Sequence, residues 1–438
     1  MTRQYHGDSE SLDNLAINVQ TKPKKVLQPH IFRFYPPTPM KKILLSIALL
    51  LFSCTGNTQE TRPLTTGFAE TIPSAILKAE RTIWVHLPEG YKAGGSEHYP
   101  VIYVLDGKDQ FQALVAVVEH LSAENLAPKM IVVGILQDDR LAELTFGKDM
   151  EFPNSGGRGE QFLNYVEKEL IPYVDAKYRS APYRTFVGHS VGGLAVVHTL
   201  VHRPQLFTSY ISLEGALWWD KRHVVKDAKN VLGQVSYEGK TLFIAMANHL
   251  ETKPSLQQVR NDKSRHSELI RANLELIDDF AKHKPQALRL GQQYYPNDSH
   301  SSLTLQAKHD ALRFIFDTYG LKLQSSQLNN PTFDVVQHYT AHYQALSKKM
   351  GYRIQPESAE LNRLGYDFLK RKQYERAGFF FQQLQQYYSN DPNTYDSLGD
   401  LYSAKGDKTK AIESFRKGLT LGDMKETREK LDALLIEK

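Results

Sequence analysis

Cysteine occurs once in the 438 residues, at position 54. That excludes intrachain disulfides and thiolate metal clusters as sources of stability. Tryptophan is nearly as scarce, with three residues, two of them adjacent at Trp218 and Trp219. Charge of one sign is also missing from the body of the chain. The formal net charge is +5, but residues 1–53 hold seven Lys/Arg against three Asp/Glu, and the remainder balances at 47 against 46. A chain without a basic cluster lacks the electrostatic footprint of nucleic-acid binding. No His-Glu-x-x-His pair or Cys/His ligand cluster occurs, so neither a metal nor a cofactor is expected.

Long hydrophobic runs are absent too. The ten largely apolar residues Ile43 to Phe52 follow Lys41-Lys42 and precede Ser53-Cys54. A positive start, a short apolar stretch and a small residue describe an export signal, and the run is too short to span a bilayer. Leu51-Phe52-Ser53-Cys54 resembles the bacterial lipobox, although Phe departs from the usual small residue at its second position. A thiol found only there is expected to carry lipid, anchoring the exported protein to a bacterial membrane through Cys54, at the periplasmic face or cell surface. On this reading residues 1–39 are a non-structural extension, 40–53 the signal and 54–72 a polar, Thr-rich tether.

With 41% apolar residues the chain is long enough for two domains. Strand-like runs at residues 81–87, 100–105, 130–136, 185–187, 209–213, 241–247 and 288–295 alternate with helical runs at 109–121, 159–176, 191–201, 266–283 and 302–319. This rhythm predicts an α/β domain over 73–322, with a mostly parallel sheet flanked by helices. Beyond a Gln, Ser, Asn and Pro-containing linker with one helix (323–355), an internal repeat appears. Leu364, Gly365, Phe368, Ala377 and Phe381 recur 34 residues later as Leu398, Gly399, Tyr402, Ala411 and Phe415. That is the tetratricopeptide period, so residues 356–438 are expected to be all-α repeats. Two repeats need covering helices, and 333–349 and 425–437 are the candidates. The tail is expected to be an accessory surface, open to a protein partner, with residues 60–322 folding without it.

The five residues Gly188-His189-Ser190-Val191-Gly192 carry the chemistry. They follow the strand-like Tyr183 to Val187 and precede a helical run, so Ser190 falls on a strand-to-helix turn that lifts its hydroxyl above the sheet. A serine hydroxyl needs a base, usually His oriented by a carboxylate. In a sheet of this kind the order is Ser, acid, His, which confines the search to residues after 190. His300, in the polar loop Asn297 to Ser302, is the candidate base. Glu251, in the loop after the strand ending at Ala247, is the candidate acid, with Asp262 and Asp298 as rivals. His189 reads as a packing or hydrogen-bonding neighbour.

Residues from about 70 to 320 resemble the Putative esterase family of α/β-hydrolases, which contains siderophore esterases, feruloyl esterases, S-formylglutathione hydrolase and mycolyl transferases. The likeness rests on Val101 to Gly107, Val132 to Ile135 with Asp139-Arg140, Phe162 to Arg179, Gly188 to Leu194, Leu217-Trp218-Trp219, His300 and Leu312 to Phe316. It is nearest to the siderophore-esterase-like branch, where Trp-Trp follows Ser-Pro-Ser. Here Leu213-Glu214-Gly215-Ala216 stands in that place and would line the site. The resemblance implies an oxyanion hole made by the backbone N–H groups of Val191 and Lys108, each such donor being worth roughly 3–4 kcal/mol in the transition state. It implies a small-molecule ester substrate cleaved through an acyl-enzyme. Transfer of the acyl group to an alcohol, or an inactive scaffold whose repeats bind a partner, are the alternatives.

Overall fold

The computed structural model describes residues 65–147, 156–250, 254–283 and 287–436. Cys54, the export signal and Glu251 lie outside the described residues. Thr65–Lys438 forms one compact unit.

Eight strands make one sheet: β1 (Phe68–Ser74), β2 (Ala79–His86), β3 (Tyr99–Val104), β4 (Ile131–Ile135), β5 (Ser180–His189), β6 (Ser209–Leu213), β7 (Thr241–Ala247) and β8 (Arg289–Tyr295). Their order is β1-β2-β4-β3-β5-β6-β7-β8. β1, β2 and β4 pair antiparallel, and every pair from β4 to β8 is parallel. Strands β3, β4, β6 and β7 are buried at every residue, which is why they do not alternate polar with apolar residues. The helices α1 (Gly107–Ala123), α2 (Arg140–Leu144), α3 (Gly159–Tyr165), α4 (Ile171–Lys177), α5 (Val191–His202), α6 (Trp219–Val231), α7 (Leu256–Asn261), α8 (Glu268–His283) and α9 (Thr304–Ile315) accompany the sheet. A π-helical turn at Val166–Leu170 joins α3 to α4. Two apolar clusters fill the molecule here. One holds α5 and α8, and the other holds α1 and α9.

The stretch read as a tether ends earlier than expected, because β1 begins at Phe68 and pairs along its length with β2. Its pattern is weak since only Ile72 and Ser74 are buried. What fastens it is polar: Glu70 accepts hydrogen bonds from Tyr173 Oη (2.9 Å), Tyr178 Oη (2.6 Å) and Lys177 Nζ (2.5 Å). The strand read as 185–187 runs on over Ser180–His189.

Beyond β8 the chain is helical: α10 (Ser325–Asn329), α11 (Val335–Met350), α12 (Ser358–Lys370), α13 (Tyr374–Tyr387), α14 (Pro392–Ala404), α15 (Lys408–Leu421) and α16 (Lys425–Ile436). The pairs α12–α13 and α14–α15 repeat one contact. A Cβ on Gly365 would lie 2.2 Å from the Phe381 ring, and one on Gly399 2.3 Å from the Phe415 ring. Helices of each pair therefore touch where the sequence repeats at 34 residues. α11 and the turn after it do not stand apart from the sheet domain. Leu346, Met350 and Ile354 are buried in the same cluster as Ile102, Tyr183, Leu312 and Phe316, and Lys349 Nζ donates to Ile315 O at 3.0 Å. A fragment of residues 60–322 would therefore lack side chains that belong to this shared core.

Candidate active site

Ser190 joins β5 to α5 with φ 59° and ψ −119°, a backbone region that a residue bearing Cβ enters only at a cost. Its surroundings fix it there. Ser190 N–H donates to Leu213 O (2.9 Å), and Ser190 O accepts from Leu194 N–H (3.0 Å) and Ala216 N–H (2.9 Å). A Cβ on Gly188 would fall 2.2 Å from Gly192 O, and one on Gly193 would fall 2.7 Å from Gly215 Cα. Strand, helix and the segment after β6 thus close to backbone contact around the serine. Gly193, outside the five-residue motif, is as necessary as Gly188 within it.

His300 lies in the turn between β8 and α9. Its ring centroid is 4.5 Å from that of His189, whose Nε2–H donates to His300 O at 2.7 Å. Burial, then the neighbouring His300, hold His189 below the ordinary histidine pKa. A neutral His189 is accordingly a donor that fixes the His300 turn, as its reading as a hydrogen-bonding neighbour required.

The carboxylate facing His300 is Glu214. Its Oε2 lies 3.1 Å from His300 Nδ1, and its side chain is fully buried. Glu214 stands directly after β6 with φ 47°, and its other oxygen, Oε1, accepts Ala247 N–H at 2.5 Å. Burial pushes the carboxyl pKa up, but hydrogen bonds from His249, His300 and Ala247 outweigh it and leave it below the ordinary value. Glu214 is therefore an anion poised beside the imidazole. Of the expected acids, Glu251 lies outside the described residues. Asp262 is partly exposed and accepts from Ser264 N–H and Oγ, both at 2.8 Å. Asp298 accepts from Ser302 Oγ at 2.8 Å within the loop turn. Glu214 keeps the Ser, acid, His order, and its signal in the sequence is an acidic residue at the carboxyl end of a strand-like run, where sites gather.

Two helix starts meet beside Ser190. Val191 is the first residue of α5 and Lys108 the second of α1, so both N–H groups belong to first turns, which lack intrahelical acceptors. The starts are close, since a Cβ on Gly192 would be 3.3 Å from Asp106 Oδ2. Arg140 ties them together: Nε donates to Asp106 Oδ1 (2.6 Å), and Nη2 to Asp106 Oδ2 (2.9 Å) and to His189 O (3.1 Å). Such an arrangement can activate a serine and hold a developing oxyanion at two helix N-termini. Among the described residues, no group of three His, Cys, Asp or Glu side chains is placed to hold a metal, and no helix is long and apolar enough to cross a membrane.

Residues 74–269 match the family described as Putative esterase. This segment, less than half of the chain, is similar to that family. Among curated relatives, the chain is 26% identical over 248 residues to the ferri-bacillibactin esterase BesA of Bacillus subtilis, covering 51% of this chain and 80% of that protein. It is 30% identical over 149 residues to the siderophore triacetylfusarinine C esterase of Aspergillus fumigatus, covering 32% of this chain but only 51% of that one. The crystal structure of an IroE-like serine hydrolase from Shewanella oneidensis, 27% identical, superposes with a TM-score of 0.61 over 73% of this chain and 99% of the other. A structure from Capnocytophaga ochracea, 17% identical, shares the fold over 84% of this chain and 99% of its own, with a TM-score of 0.59. The two curated relatives are named as esterases and the IroE-like structure as a serine hydrolase, in agreement with the α/β-hydrolase architecture of the sheet.

Proposed function

We propose that this protein is a serine carboxylesterase whose Ser190, His300 and Glu214 act as a triad. The observation that carries it is the contact of His300 Nδ1 with buried Glu214, on a loop bonded to His189, the residue before a serine held in a strained strand-to-helix turn. With Nδ1–H committed to Glu214, the Nε2 lone pair of His300 is free to take the Ser190 proton as Oγ attacks the ester carbonyl. The negative charge moves to the carbonyl oxygen, where the N–H groups of Val191 and Lys108 are the proposed donors. Collapse of the tetrahedral intermediate expels the alcohol, which receives the proton from His300 and leaves an acyl-enzyme. Water then repeats the sequence in reverse.

The substrate class we favour is a siderophore ester, because two of the relatives are named as siderophore esterases and two more as esterases of ferri-bacillibactin and of iron(III) enterobactin. The N-terminal sequence supports export and lipid anchoring at Cys54, and the 34-residue spacing supports tetratricopeptide-type repeats in the tail. The test of the chemistry is hydrolysis of p-nitrophenyl acetate and of a catecholate trilactone by the full chain, together with labelling by a fluorophosphonate. Ser190→Ala should abolish all three. Persistent labelling in that variant would move the nucleophile elsewhere.

A further inference from the structure

Glu214 has a second imidazole neighbour. His249, just after β7, places Nδ1 3.5 Å from Glu214 Oε2, the same oxygen that faces His300 at 3.1 Å. The other carboxylate oxygen is occupied by Ala247 N–H, so the two rings share one acceptor. The opposite edge of the His249 ring, Nε2, lies 2.9 Å from His266 O. Both nitrogens of His249 therefore face oxygen acceptors. A neutral imidazole has one N–H and would turn a lone pair on one of them, whereas the imidazolium donates to both. The facing Glu214 carboxylate, against partial burial, holds the His249 pKa above the ordinary histidine value.

Among the described residues, Tyr294, Asp262, His266 and His300 are the other titratable groups near this ring. Tyr294 of β8 faces Glu214 and is itself raised, first by burial and then by that carboxylate. Asp262 and His266 line, with His249, a cavity of about 590 Å³, and Asp262 is engaged with Ser264. His300 faces the same Glu214 oxygen.

We infer that His249 is a positioning residue that, as a cation, draws on the Glu214 carboxylate and weakens its support of His300, so that ester hydrolysis strengthens when His249 loses its proton. This rests on the triad reading above. The physical reason is competition. In the transition state His300 becomes positive, and its stabilisation depends on the uncompensated charge of Glu214. A positive ring on the same oxygen cancels part of that charge and is itself a like charge to the imidazolium. The proton lost at higher pH passes to solvent through the adjacent cavity.

The experiment is the pH profile of kcat/KM for p-nitrophenyl acetate with the full chain, after subtraction of the Ser190→Ala background. The wild type should rise in two steps, the second at a pH above the ordinary histidine range and of roughly three- to tenfold, the scale of one partly screened charge at this distance. His249→Gln should show one step. His249→Lys, which keeps a cation to high pH, should stay on the lower plateau. A wild-type profile with one step, or a His249→Gln profile that keeps both, would overturn the inference. Carbon-13 NMR of the His249 ring in Ser190→Ala protein reads the charge without any turnover. It should titrate above the ordinary histidine range and fall back in Glu214→Gln, and a ring that titrates identically in both also overturns the inference. Absence of Ser190-dependent hydrolysis would refute the esterase reading, while the NMR titration would still decide the state of His249.

Discussion

Arg140 holds Asp106 through a two-pronged contact, Nε to Oδ1 at 2.6 Å and Nη2 to Oδ2 at 2.9 Å. Nη2 also reaches His189 O at 3.1 Å. One guanidinium thereby fixes the start of α1 relative to the residue before the nucleophile. Lysine offers a point charge in place of the planar fork and cannot make all three bonds in this geometry. Arg140→Lys should lower kcat about tenfold with a smaller change in KM, because misplacing an oxyanion donor affects the transition state more than binding. Steady-state kinetics on a soluble ester checks this.

Glu214→Gln should lower kcat by roughly two to four powers of ten, since a neutral amide neither stabilises the His300 imidazolium nor fixes its tautomer. Asp262→Asn, in an exposed loop, should change turnover by less than about twofold. Parallel kinetics of the two variants provides the comparison, and a larger loss in Asp262→Asn would reassign the acid.

Ser190 bears a Cβ at φ 59° and ψ −119°. Glycine enters that region freely. Ser190→Gly should therefore raise stability, by about 1 kcal/mol from relieved backbone strain, while removing esterase activity. Ser190→Ala should be equally inactive without the gain. Thermal unfolding of the three proteins distinguishes strain relief from loss of the hydroxyl.

Truncation after residue 322 should destabilise the sheet domain. It uncovers the surface against which Leu346, Met350 and Ile354 pack, and each buried side chain of this kind is worth about 1.5–3 kcal/mol. The shortened chain should melt at a lower temperature and bind a hydrophobic dye. An unchanged melting temperature would mean that this contact contributes little.

Lys308 on α9 is 1% exposed and donates to Gln110 Oε1 of α1 at 2.6 Å. Burial pulls its pKa down to about 8, below the value of an unfolded lysine near 10.4. The folded state thus disfavours the charged form. Stability should be highest above pH 10.4, decline as pH falls toward 8, and carry a constant penalty below that. Lys308→Met should accordingly raise the melting temperature at pH 7, with the advantage shrinking by pH 10.

Much of the architecture was legible because it is written in local pattern. β6 and β7 occupy the residues read from their strand-like runs, and α5 extends the helix read after Ser190 by one residue. β1 was missed because an edge strand with two buried residues, fastened by Glu70 to three side chains about a hundred positions away, leaves almost no periodic trace. Helix α6 was missed for another reason. Asp220, Lys221 and Arg222 carry positive φ within it, which no propensity scale anticipates in residues other than glycine.

The sequence by itself determined the strand–serine–helix turn, the αβ rhythm, the base candidate His300 and the 34-residue recurrence, since each depends on spacing along the chain. Only the tertiary structure decided that Glu214 is the carboxylate beside His300, that His249 shares its oxygen, and that the helical tail completes the core of the sheet domain. The first two contacts join the carboxyl ends of β6, β7 and β8, neighbours in the sheet but up to 86 residues apart in the chain. Which acidic residue meets a histidine there depends on strand order and register, and these are fixed by the packing of the whole sheet.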